Sequence, residues 1–153
     1  MKFKILVVAA NYYKKITNSL SLRTSAILDK KTTYKFILVP GVFEIPVVIA
    51  KNIKKYDGFI ALGCVIKGET PHFEFISSAT INAIMKLSID YKKPIGNGII
   101  TCLNMKQAIT RSTTKGQEAT KAVLSVLGRK KWPKMKLLKT LELLLFKNYI
   151  AII

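Results

Sequence analysis

Residues 3–10 read Phe-Lys-Ile-Leu-Val-Val-Ala-Ala, and Asn11-Tyr12-Tyr13-Lys14-Lys15 follows at once. An apolar run of this length, ended by polar residues, reads as a buried strand. Basic residues before a short apolar run also mark secretory signals, but here the polar residues return too soon for a signal. Similar runs recur at 34–39, 58–63 and 95–101. Helical spacing fills the intervals. One helix is expected at about 16–30, with Ile16, Leu20 and Ile27. A second starts near Glu44, with Pro46 in its first turn and Ile49 and Ile53 behind. A third spans about 74–90, with Ile76, Ala79, Ala83 and Leu87 on one side. A short helix at 105–112 and a longer one at 115–128 complete the set. The order β-α-β-α-β-α-β-α predicts an α/β fold, a three-layer α/β/α sandwich around a four-stranded parallel sheet.

The chain has 153 residues, half of them apolar and only 8 acidic. That suffices for one domain with a core and excludes a disordered chain. No run reaches the roughly 20 apolar residues that cross a bilayer, so no membrane span is expected. Cys64 and Cys102 fit neither a disulfide framework nor a metal knuckle, and a reducing cytoplasm is the simplest location. The formal charge of +18 invites a nucleic-acid reading. Its source is 23 lysines and 3 arginines, in pairs such as Lys14-Lys15, Lys54-Lys55 and Lys92-Lys93. Such dispersed lysines suit solvated faces and loop ends better than a binding stripe, and no nucleic-acid partner is expected.

In open parallel sheets ligands bind beyond the carboxyl ends of the strands. The segments to inspect are therefore 11–13, 40–44, 64–73 and 101–105. The third holds His72, the sole histidine of the chain and the side chain best placed to move protons near neutral pH. Gly68 and Thr70 precede it, and backbone amides and a hydroxyl at the start of a helix favour an anion. A packed or surface histidine is the rival reading. Glu44 and Glu74 each open a helix, where a carboxylate complements the dipole; Glu44, after a Pro-Gly turn, stands equally well as a cleft residue. Tyr12 and Tyr13 either stack on a planar ring or simply pack. Arg111 has the fork that grips phosphate, but an isolated arginine is a weak signal. The cysteines read as small packing residues. No Walker loop, GxGxxG or paired-histidine motif is present, so neither a nucleotide cofactor nor a metal is expected.

Taken together, VPGVFEIP (39–46), ALGCVIKGETPHFEF (61–75) and PIGNGIITCLNMKQAITRS (94–112) resemble the 6,7-dimethyl-8-ribityllumazine synthase family. ANYYKKIT (10–17) and KGQEATKAVL (115–124) extend the resemblance over about residues 3–128. It implies a flavodoxin-like fold and the condensation of 5-amino-6-ribitylaminouracil with 3,4-dihydroxy-2-butanone 4-phosphate, the penultimate step of riboflavin biosynthesis. Release of phosphate and water, with no metal or redox cofactor, goes with it. By the same resemblance His72 is the proton-transfer residue, and Glu69, Thr70 and Arg111 hold the phosphate. Tyr12 stacks on the pyrimidine. Val42, Phe43, Glu44, Cys64, Val65 and Ile66 surround the pyrimidine and ribityl chain, and Asn97 takes a further pyrimidine-side position. A homopentamer or a multiple of it, with sites between subunits, and an association with riboflavin synthase are also implied.

Two stretches depart from the family pattern. Ser112-Thr113-Thr114 makes the interval from Arg111 to Lys115 shorter than in many members, so Lys115 is left out of the site. After a synthase domain at 1–128, residues 129–136 (RKKWPKMK) are basic, and 137–153 (LLKTLELLLFKNYIAII) are mostly apolar and match nothing in the family. The rival readings are a non-catalytic lumazine or flavin binder of the same fold and a basic nucleic-acid-binding protein.

Overall fold

The computed structural model describes residues 2–28 and 32–128. The chain runs β1 (Phe3–Ala10), α1 (Lys14–Leu28), β2 (Thr32–Val39), a 3-10 turn (Val42–Glu44), α2 (Ile45–Asn52), β3 (Gly58–Ile66), α3 (His72–Asp90), β4 (Ile95–Cys102) and α4 (Met105–Leu127). The strands pair in the order β2-β1-β3-β4, all parallel. This is the expected three-layer sandwich. The proposed segment 129–153 lies outside the described residues.

Alternation along β1 builds both layers. Ile5, Val7 and Ala9 face Ile16, Leu20 and Leu28 of α1 and Ala119 and Val123 of α4. Leu6 and Val8 face Ile45 and Ile49 of α2 and Ile84 of α3. Residues 5–9 are fully buried, so β1 is covered on both sides, as a central parallel strand must be. Fully burying one such aliphatic side chain is worth about 1.5–3 kcal/mol.

Three sequence expectations need correction. The short helix at 105–112 and the longer one at 115–128 are one helix, α4. Ser112, Thr113 and Thr114 are poor helix formers, but tertiary contact carries the helix through them. Ser112 is buried and bonds Ser19 Oγ of α1 at 3.1 Å, and Thr24 Oγ1 donates to the Gly116 carbonyl at 3.3 Å. A Cβ at Gly116 would collide with the Leu20 carbonyl, so glycine sets the closeness of α1 and α4. Secondly, α3 buries Ser77, Thr80 and Ile84 rather than Ala79, which is exposed; Ile76 and Leu87 flank the core. An apolar stripe could not reveal an inward face containing two hydroxyl residues. Thirdly, α3 begins at His72 instead of 74, and β3 runs on to Ile66.

The edge opposite the strand carboxyl ends is held by Lys93. Its Nζ donates to the carbonyls of Ile53 and Tyr56 at 2.7 and 2.5 Å, just beyond α2. A cation there satisfies end carbonyls and complements the dipole.

Candidate functional site

The carboxyl ends of β1 and β2 are joined where Asn11 N–H donates to the Val39 carbonyl at 2.8 Å, and those of β3 and β4 where Lys67 N–H donates to the Cys102 carbonyl at 2.9 Å. Beyond β2 the chain turns sharply. Glu44 Oε2 accepts from Gly41 N–H at 2.9 Å and closes the 3-10 turn. Val42 plugs inward against Gly63, where a Cβ would come within 2.6 Å of Val42 Cγ1. Phe43 is left 59% exposed on the rim.

These ends enclose a cavity of about 330 Å³, lined by Tyr12, Tyr13, Gly41, Val42, Phe43, Glu44, Cys64, Val65, Ile66, His72 and Ile76. Eight of the twelve residues singled out from sequence thus meet in one place. Tyr12 is 74% exposed, with its ring edge-on to Tyr13 at 4.9 Å between centroids. Burial, and then the neighbouring Tyr12, push the Tyr13 phenol above its ordinary pKa. Burial also pushes the Cys64 thiol up to about 12, with Cys102 adding to the effect. A thiol so hard to ionise is a packing group, not a nucleophile. The cavity therefore offers an aromatic wall, an apolar floor, one carboxylate already anchored to its turn, and an imidazole at the first residue of α3.

The remaining candidates lie elsewhere. Asn97 and Arg111 line a second cavity of about 370 Å³ along the outer edge of β4, with Ile81, Thr101, Thr114, Lys115 and Glu118. Asn97 is exposed, and its Oδ1 accepts from Ile99 N–H at 3.0 Å. Arg111 Nη1 reaches the Thr101 carbonyl at 3.5 Å. Lys115 Nζ stands 3.8 Å from Glu118 Oε2. Lys115, set aside on spacing, is thus brought beside Arg111 by the unbroken α4. Small residues recurring at helical spacing, Ala108, Ser112, Gly116 and Ala119, followed by Val123, were the signal for that helix. A guanidinium and an ammonium on one wall suit an anion.

Glu69 and Thr70 line neither of these two cavities and are exposed in the segment before α3. That segment is bridged by Lys67 Nζ and Glu74 Oε1, 3.1 Å apart. The hydrogen bond from Lys67 holds the Glu74 carboxyl below its ordinary pKa. Glu74 sits in the first turn of α3, as expected of a dipole-complementing carboxylate. Among the described residues no cluster of His, Cys, Asp or Glu could hold a metal ion, and no helix is long and apolar enough to cross a membrane.

The sequence model of 6,7-dimethyl-8-ribityllumazine synthase matches residues 2–131. The 6,7-dimethyl-8-ribityllumazine synthase of Bartonella henselae is 42% identical over 139 residues, covering 85% of this chain and 90% of its own. That of Bartonella tribocorum is 41% identical over 135 residues, 83% and 89% of the two chains. The Agrobacterium fabrum protein of the same name is 38% identical over 139 residues, 83% and 94% of the two chains. With fold and sequence in agreement, the chain belongs to the 6,7-dimethyl-8-ribityllumazine synthase family.

Proposed function

We propose that the protein condenses 5-amino-6-ribitylaminouracil with 3,4-dihydroxy-2-butanone 4-phosphate to 6,7-dimethyl-8-ribityllumazine. The observation that carries this is the division of the site residues between two cavities. One has the ring-binding walls and His72; the other has the cations. The same division supports a homo-oligomer, a pentamer or a multiple of it, in which the His72 cavity of one subunit is completed by Arg111 of the next. A cytoplasmic enzyme working without a cofactor, in association with riboflavin synthase, belongs to the same reading.

The roles follow from the chemistry. The pyrimidine lies against Tyr12, with Val42, Phe43, Cys64, Val65 and Ile66 around it and Glu44 within reach of its polar edge or the ribityl hydroxyls. Asn97 approaches from the second cavity. Arg111, helped by Glu69 and Thr70 in the segment before α3, holds the phosphate and stabilises it as it leaves. The amine of the pyrimidine attacks the ketone, water departs to give a Schiff base, phosphate is eliminated, and the ring closes with loss of a second water. Each step moves protons, and His72 serves them. Such help is worth about 10²–10⁴ in rate; fixing the two reactants together supplies much of the rest.

The test follows the fluorescent lumazine against an enzyme-free control. His72→Ala is expected to slow turnover, and Arg111→Ala to raise the concentration of phosphate substrate required. Folded, oligomeric wild-type protein that only matches the control would end the proposal.

A further inference from the structure

Two of the lysine pairs, Lys54-Lys55 and Lys92-Lys93, are brought to the same end of the fold as Lys2 and Lys4. In a parallel sheet, strand starts and helix ends share the edge opposite the site. Here Lys4 N–H donates to Asp57 Oδ2 at 2.7 Å, and Asp57 N–H to the Lys4 carbonyl at 2.8 Å. Lys93 ties in the third segment through the carbonyls of Ile53 and Tyr56. Segments 2–4, 53–57 and 91–94 thus form one surface. Lys2, Lys4, Lys51, Lys54, Lys55 and Lys92 stand exposed at this end, and none is in an ion pair among the described residues.

Cations at such an edge complement helix carboxyl ends, and Lys93 does so. Four helix ends amount to about two negative charges. Asp57 adds one, and Asp90 is taken by Lys86 at 2.9 Å. Six unpaired ammonium groups exceed that. At the site edge Lys14, Lys15, Lys106 and Arg111 are also outside ion pairs among the described residues, but there Glu44, Glu69, Glu74 and Glu118 are interspersed among the cations, and Lys67 and Lys115 are paired.

Apolar groups border the lysines. Ile89, Tyr91 and Val126 are 65%, 48% and 56% exposed, and Val126 shares a depression with Lys92, Lys93 and Ile95. Ammonium groups set among tyrosyl and aliphatic side chains match the interface of an anionic bilayer, where phosphates meet the charges and the apolar groups lie between headgroups. A nucleic-acid backbone would satisfy the charges and leave Ile89 and Val126 in water. Gly128 closes α4 at this same edge. We propose that this end of the protein docks on an anionic phospholipid surface and leaves the site edge facing solution.

The test is co-sedimentation of the full chain with phosphatidylcholine vesicles with and without about one third phosphatidylglycerol. Binding is expected with the anionic lipid alone and is expected to fall as salt rises. Each lysine contributes about fivefold to partitioning, so Lys54→Gln/Lys55→Gln/Lys92→Gln should weaken it about a hundredfold. Lys14→Gln/Lys15→Gln/Lys106→Gln removes the same charge from the other edge and should change binding less than about tenfold. The first triple variant should keep the wild-type melting temperature and lumazine-forming rate, because its residues lie far from both cavities. No binding to anionic vesicles, equal losses in the two triple variants, or retention by single-stranded RNA without vesicle binding would each overturn the proposal.

Discussion

If His72 and Arg111 act on one substrate from different subunits, two impaired variants should rescue one another. His72→Ala supplies an intact Arg111 cavity, and Arg111→Ala an intact His72 cavity; in one chain the two do not share a wall. In a ring with head-to-tail contacts, each interface takes its histidine from one subunit and its arginine from the next. With random assembly at equal expression, the histidine side is intact at about half the interfaces and the arginine side, independently, at about half, so about one quarter carry both. Assayed at a phosphate-substrate concentration well below what Arg111→Ala requires, both variants should be slow, His72→Ala at about 1% or less given the usual worth of acid–base help. The co-expressed mixture, purified through two different tags, should therefore recover about a quarter of wild-type turnover, more than tenfold above His72→Ala. Turnover equal to the mean of the two parents would refute assembly of the site between subunits.

Three further outcomes test the fold. Lys93→Met should lose about 1–2 kcal/mol in denaturant unfolding, because the carbonyls of Ile53 and Tyr56 lose their charged donor; Lys92→Gln, exposed one residue earlier, should stay within about 0.5 kcal/mol. Thr80 is buried with its hydroxyl unpartnered among the described residues, so Thr80→Val should leave stability unchanged or raise it by about 1 kcal/mol; a loss of similar size would show that the hydroxyl has a partner. The lowered pKa of Glu74 comes first from Lys67, so the stabilisation it brings is present above the ordinary glutamate pKa and disappears as pH falls through the lower folded value. The melting temperatures of wild type and Glu74→Gln should differ steadily at neutral pH and converge in acid.

Strand spacing was legible because β1, β3 and β4 are nearly continuous apolar runs, and parallel order followed from the alternating helices. The ring-binding half of the site was legible too. Its residues immediately follow β1, β2 and β3, and the geometry of such a sheet gathers those ends. Less was visible where tertiary contact outweighs local preference. The helix through Ser112-Thr113-Thr114 depends on Ser19, Leu20 and Thr24 of α1, some ninety residues away. Ser77 and Thr80 face inward because their neighbours leave no other face for the core. Distance was invisible altogether: no pattern in the sequence said that Arg111 and His72 border different cavities, or that Lys4, Lys54 and Lys92 share an end.

Helix α4 has 23 residues, about 34 Å at 1.5 Å per residue. It is gripped near its far end, where Val123 fills the space above Gly58 and Gly96, and near its middle, where Gly116 rests on α1. The part carrying Arg111 continues past the second grip, held there by fully buried Ala108 and by Ser112, which bonds Ser19 of α1. Its aim thus depends on a series of contacts, two of which are made of missing side chains, one of them at the opposite end of the molecule. Adding a methyl group at Gly96 would collide with the Ala119 carbonyl and act on Arg111 through the tilt of the helix, at a distance from any ligand. Selection for the position of one guanidinium would then be recorded as a demand for glycine at the far end of β4, away from the phosphate.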